Sequence, residues 1–217
     1  MKTTLILLLF FVAFHSHGQS LDCFSEVKSE LYLHQKKINP ITVSPRTKKD
    51  IRKDTTFMAY IDSATNFQEK TLTKLIGCSF PKEFFTTSNG KEMNVDSIQS
   101  NFIILNLNYL YDDRSLAQLD DLAKLKKENE ACAGELNENI TIISFFAQSK
   151  PDIQQLIDKY QSEIIFVPDA AVFIEDHNVT YTYPSIYLLE AKTIRYLNAG
   201  LYREKERLFY ELKLLVN

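Results

Sequence analysis

Three cysteines, Cys23, Cys78 and Cys132, carry the most reactive side chains in this sequence, and their spacing limits what they can do. No two of them form a Cys-x-x-C pair, so neither a vicinal redox couple nor a paired zinc ligand set is present. In an oxidising compartment two of the three can pair, as a structural or a slowly exchanging disulfide, and the third stays free or bonds another chain; spacing alone leaves the connectivity open. Glu175-Asp176-His177 is the one compact cluster of metal-ligand types, and it reads more simply as a polar turn. The sequence has no glycine-rich phosphate loop and no Gly-x-Ser-x-Gly elbow, so no cofactor and no metal are expected. Asp112, Asp113 and Ser115 open an amphipathic stretch. A carboxylate there suits a helix N-cap, and Asp112 as a general base has no evident acid partner.

The elements that position these residues follow from hydrophobic periodicity. Phe102 to Leu107 is an almost continuous apolar run, as in a strand buried on both faces. From Asp113 to about Glu130, Leu116, Leu119, Leu122, Ala123 and Leu125 recur at helical spacing, opposite Asp120, Lys124, Lys127 and Glu128. Further strands are expected at Ile140 to Phe146 and Ile164 to Val167, with a final β pair at Ser185 to Leu189 and Ile194 to Leu197. Helices are expected from Pro151 to about Tyr160, within Pro168 to Asp176 and over residues 203–216. Asn89-Gly90 predicts a type I′ hairpin turn between Glu83 to Thr87 and Lys91 to Val95. Upstream, residues 19–75, which contain Pro40 and Pro45, read as an extension, partly helical or flexible; within it Thr56 to Leu75 fits a helix packed on the main domain, a paired strand or a partly disordered stretch.

Composition bounds the class. A chain of 217 residues with 45% hydrophobic and 24% charged residues suits one domain and a smaller extension. Met1 to Gly18 reads as a signal peptide: Lys2, an apolar run from Leu5 to Phe14, then the small residues Ser16 and Gly18 before the cleavage point. That run is short of the roughly 20 residues a spanning helix needs. A lipid anchor at Cys23 is disfavoured by Asp22, which stands where that signal wants a small residue, so membrane association is otherwise not expected. Loss of Lys2 with the leader takes the formal net charge from −3 to −4, which argues against a nucleic-acid partner. Lys36, Lys37, Arg46, Lys48, Lys49, Arg52 and Lys53 form one basic region, read as a solvated linker in preference to an electrostatic arm.

The stretch FIILNLNYLYDDRS, Phe102 to Ser115, resembles the strand and helix start of thioredoxin-like domains of the TlpA/ResA class, related to the AhpC/TSA redoxins. In that class a segment of the type VVLLNFWASWCPPC delivers two cysteines to the first turn of a long helix. Laid over it without gaps, this sequence has Asp112 and Ser115 where the cysteines would be. Two further segments carry the resemblance: Ile76 to Val95, similar to the family's G-x-x-x-P-x-F opening, and Val179-Thr-Tyr-Thr-Tyr-Pro-Ser-Ile-Tyr-Leu-Leu-Glu, similar to its cis-proline segment.

The resemblance implies an α/β thioredoxin-like fold over residues 76–217: a central mixed sheet flanked by helices, an N-terminal β-hairpin and a cis peptide before Pro184. It also implies that thiol–disulfide exchange at the family's site is lost, because a serine at 115 cannot resolve a mixed disulfide. The expectation is an exported bacterial protein, periplasmic or extracellular, that holds an unidentified protein or peptide without catalysis. Its groove candidates are Tyr111, Asp112, Tyr183 and Pro184, and Asp112 and Ser115 are vestigial motif positions. The alternative is a thiol–disulfide oxidoreductase or redox-responsive protein working through Cys78, Cys132 or Cys23.

Overall fold

In a computed structural model the described residues are 23–42, 66–68, 70–108, 113–131, 139–179 and 184–199. The centre is strand β3 (Phe102–Asn108), buried at all seven positions. It pairs in parallel with β4 (Ile140–Phe146), which pairs in parallel with β5 (Ile164–Val167). On its other side β3 pairs antiparallel with β6 (Ser185–Glu190), and β6 with β7 (Thr193–Ala199). The five-stranded mixed sheet therefore runs β5-β4-β3-β6-β7. Parallel neighbours need crossovers, and the sequence supplies α2 (Asp113–Ala131) between β3 and β4 and α3 (Gln154–Tyr160) between β4 and β5.

The strict alternation of β3 divides the core in two. Phe102 and Ile104 face α2 and α3, where Leu119, Leu122, Leu125, Leu156 and Ile157 cover the sheet. Ile103, Leu105 and Leu107 face the other layer, built by α1 (Cys23–Thr42), the hairpin of β1 (Phe84–Thr86) and β2 (Glu92–Asn94), and α4 (Ala171–His177). On the polar side of α2, Lys124 and Glu128 make an i,i+4 pair at 3.5 Å. Pro151 opens a short 3-10 turn ahead of α3, in a first-turn position where its missing N–H costs nothing.

Two expectations change. The segment read as an extension outside the core sends α1 into it: Phe24, Val27 and Leu31, at helical spacing, are buried beside Tyr187 and Leu189. Three such side chains stabilise the docked helix by on the order of 6 kcal/mol before entropy is counted. Lys28 adds a cap for the neighbouring helix, its ammonium donating to the carbonyls of Glu175 (3.1 Å) and Asp176 (2.8 Å) at the end of α4. Pro40 lies in the last turn of α1, where its missing N–H removes a single helical bond. Of the stretch Thr56 to Leu75, residues 66–68 and 70–72 are helical and Thr73–Leu75 is a 3-10 turn; the rest lies outside the described residues.

The hairpin forms in the expected place with a different turn. Gly90 has φ +83°, but Asn89 does not have a positive φ, so this is not a type I′ turn. Gly90 N–H donates to Thr87 O and Thr87 N–H to Lys91 O, at 2.8 and 2.9 Å, the pattern of a three-residue loop closed by a left-handed glycine. The Asn89 carboxamide oxygen accepts from Lys91 N–H at 3.2 Å and holds that loop. The cis peptide expected before Pro184, Gly200 and the helix expected over residues 203–216 fall outside the described residues.

Candidate functional site

The end of the sheet where β3 stops and α2 begins is the place the sequence singles out. Asp113 opens α2, exposed and favourably placed at the positive end of the helix dipole. Ser115, two residues on, is only 1% exposed. Leu107 pairs with Ser185, so buried Pro184, just before β6, stands at this same end of the sheet. The end of β3 and the Pro184 segment thus share one end of the sheet. Tyr111, Asp112 and Tyr183, the other groove candidates, and Cys132 lie outside the described residues.

Beneath this end, on the α2 face, lies a polar strip that the apolar reading of the strands missed. Asn106, Asn108 and Ser144 are fully buried. The carboxamides of Asn106 and Asn108 donate to the Ser144 hydroxyl at 3.2 and 3.0 Å. Their own carbonyl oxygens accept from no described residue. The strip can orient hydrogen bonds, but amides and a hydroxyl hold no titratable proton at neutral pH. Two asparagines within an otherwise apolar strand were the available sequence signal.

The cysteines occupy a different region. Cys23 and Cys78 are disulfide-bonded, with Cα atoms 6.2 Å apart and 55 residues between them in sequence. The carbonyl of Cys78 accepts from Ile194 N–H at 2.9 Å; Ile194 pairs with Leu189, and Leu189 with Ile103 at the start of β3. The cystine therefore sits by the beginning of β3, on the α1 face, whereas α2 starts after its end, on the opposite face. That is about five residues, or roughly 17 Å, along the strand, with the sheet between. A bond closing a loop of this length lowers the entropy of the unfolded chain by an amount worth about 4 kcal/mol.

Glu175-Asp176-His177 does not converge on a point. Asp176 turns to Lys28 at 3.4 Å, while His177 points inward, 1% exposed. Its ring stacks on Phe173 (4.2 Å between centroids) and Phe80 (5.2 Å), with Phe24 of α1 at 5.7 Å. Nδ1 lies 2.7 Å from the Phe173 carbonyl, and Nε2 is 3.7 Å from Glu83. Burial pushes the His177 pKa below the usual imidazole value; the Phe173 carbonyl, Glu83 and Asp176 oppose this, and Lys28 adds to it. The hydroxyl of Tyr187 donates to the His177 carbonyl at 2.6 Å, and complete burial holds that phenol protonated. These groups form a tightly packed aromatic box under α1, in which the His177 ring itself is buried.

No family model and no curated protein matches this sequence. Solved structures do resemble it. A protein of Chlorobium tepidum described as a thiol:disulfide interchange protein DsbE superposes with a TM-score of 0.55 at 9% identity, over 65% of this chain and 98% of that one. The thioredoxin domain of a thiol-disulfide oxidoreductase from Bacteroides vulgatus gives 0.52 at 12% identity, over 65% and 98%. A thioredoxin-like protein from Bacteroides caccae gives 0.53 at 13% identity, over 76% of this chain and 58% of its own. At these identities the likeness is one of fold.

Proposed function

With the thioredoxin-like fold as premise, we propose that this chain is an exported, non-catalytic module that holds a protein or peptide at the end of the sheet where α2 begins and β6 starts. The observation that carries this reading is the opening of α2 as Asp113-Arg114-Ser115, with no thiol and with the Ser115 hydroxyl buried. Disulfide exchange needs a thiolate to attack and a second thiol to resolve the mixed disulfide. A serine does neither, and an aspartate at the helix end retains an anion while removing the nucleophile. Binding makes no such demand. The backbone beside Pro184 offers a short β-edge, and Tyr111, Asp112 and Tyr183 supply apolar and hydrogen-bonding contacts to an extended segment. Export rests on the leader at Met1 to Gly18, and an oxidising compartment suits the Cys23–Cys78 bond.

The test pairs activity with binding. In an insulin-reduction assay with a small dithiol as electron source, the protein should not exceed the uncatalysed rate, and Asp112→Ala should change nothing. Screened against an array of extended peptides, it should select binders that Tyr183→Ala loses by about tenfold or more in Kd. A second reading has one observation in its favour, the bond between Cys23 and Cys78. If those cysteines carry out exchange, insulin reduction will be seen, will survive Asp112→Ala and will vanish in Cys78→Ser; exchange through Cys132 will vanish in Cys132→Ser instead.

A further inference from the structure

At the β5 margin of the sheet the β1–β2 hairpin leans on the core and then parts from it. Phe85 pairs with Met93, and Thr87 N–H bonds Lys91 O, so the N–H and C=O groups of Phe84 and Thr86 point away from β2. Ser88, of the same parity, uses its N–H to reach Phe166 O of β5 at 2.7 Å. Beyond that joint the two chains diverge. They enclose a wedge of about 370 Å³ between Phe84–Thr87 on one side and Val167–Ala170 with Phe173 on the other. No described backbone group bonds the outward edge of Phe84 and Thr86. Phe84, which lines the wedge, is apolar and 67% exposed.

Charge is the second observation. Asp169 lines the wedge with its backbone in the left-handed region, φ +55°, and its N–H fixed to Gln148 O at 2.9 Å. No described residue forms an ion pair with its carboxylate. Glu92, opposite Thr86 on β2, is exposed and equally free of a described ion pair, and Glu175 on α4 is exposed. Lys82, just ahead of β1, is taken up by Asp96 at 2.7 Å, which leaves Lys91 at the turn against these acids.

We propose that the wedge takes an extended peptide segment of a partner protein, alternating apolar and basic residues, which adds as a strand to the free edge of β1. A strand laid there alternates its side chains across β1's two faces. Those on the Phe85 face enter the wedge against Phe85, Val167 and Phe173. Those on the Phe84 and Thr86 face lay aliphatic stems over Phe84 and carry their cationic ends to Glu92, and a basic residue at the wedge meets Asp169. The site stands apart from the groove beside Pro184: it lies at the outer strand β5, while Pro184 adjoins β3 and β6.

A fluorescein-labelled heptapeptide of alternating valine and lysine tests it by anisotropy against the full chain. Saturable binding is expected, weakened about tenfold or more when glutamate replaces lysine and when the peptide backbone is N-methylated on alternate residues. Thr86→Pro, which removes an outward N–H and no hairpin bond, should abolish binding. Asp169→Asn, at a side chain without a described partner, should weaken it several-fold and serves as the second variant if Thr86→Pro does not fold. Tyr183→Ala should leave it unchanged, so that failure here and failure of the Pro184 groove are read separately. Absence of binding, equal binding of the glutamate or N-methylated peptide, or indifference to Asp169→Asn would overturn the proposal. So would a concentration-dependent dimer that Thr86→Pro dissolves, which would give the edge to a second copy of this chain.

Discussion

His177 pays for its place among Phe24, Phe80 and Phe173 with its charge. Folded, its pKa lies below the unfolded value of about 6.5, chiefly through burial, so the unfolded chain binds the proton more readily. The stability of the neutral ring is fully present above that unfolded value and is lost as the pH falls through the folded pKa. Thermal melts at pH 7.5 and pH 5 should therefore show a lower Tm in acid. His177→Phe should flatten that dependence, leaving the contribution of the carboxylates; an unchanged acid slope would remove His177 from the explanation. In the sequence this residue looked like part of a polar turn, because a histidine one position from Asp176 gives no sign that its ring is buried while the carboxylate beside it stays exposed. Ser115 was legible as a position. The burial of its hydroxyl, and the polar strip of Asn106, Asn108 and Ser144 beneath, needed the pairing of β3 with β4 to be seen.

Among the elements, those carried by a single unbroken signal were legible. β3 follows from its apolar run, and α2 from leucines repeating every three or four residues. α1 was hidden because Phe24, Val27 and Leu31 are only three anchors, followed by a lysine-rich stretch that reads as solvent-exposed. The hairpin turn was located but mistyped, since a glycine after asparagine serves either turn and only the φ of Asn89 separates them. The β6–β7 turn gave no glycine signal at all. Ala191 (φ 44°) and Lys192 (φ 72°) both occupy the left-handed region, held by Ala191 N–H to Asn101 O and by Lys192 to Asp96. Ala191→Gly should relieve this and raise stability by about 1 kcal/mol in urea unfolding; no gain would mean the turn is not strained. α1 carries a prediction too. Cys23→Ser with Cys78→Ser should cost up to about 4 kcal/mol of unfolding free energy, yet leave a folded protein, because Phe24, Val27, Leu31 and Lys28 still dock the helix. Complete loss of folding would show that these contacts do not suffice.

At the scale of the whole molecule, the five-stranded mixed sheet and its flanking helices agree with the order read from the chain, since alternating strands and amphipathic helices leave few other arrangements. The proposed binding edges were not legible, because which edges and side chains the fold leaves free is set by tertiary pairing. The proposed function assigns binding to the α2 end of the sheet, whose described residues hold no thiol, and leaves the Cys23–Cys78 cystine across the sheet to staple α1 to the core. The measurement that bears on it most directly is the thiol state of Cys23 and Cys78 in the mature protein, followed by mass spectrometry across graded redox buffers. A structural staple stays oxidised until the buffer falls below about −300 mV. A bond that titrates between about −270 and −120 mV, the range of working oxidoreductases, would contradict the staple and make the cystine a redox centre.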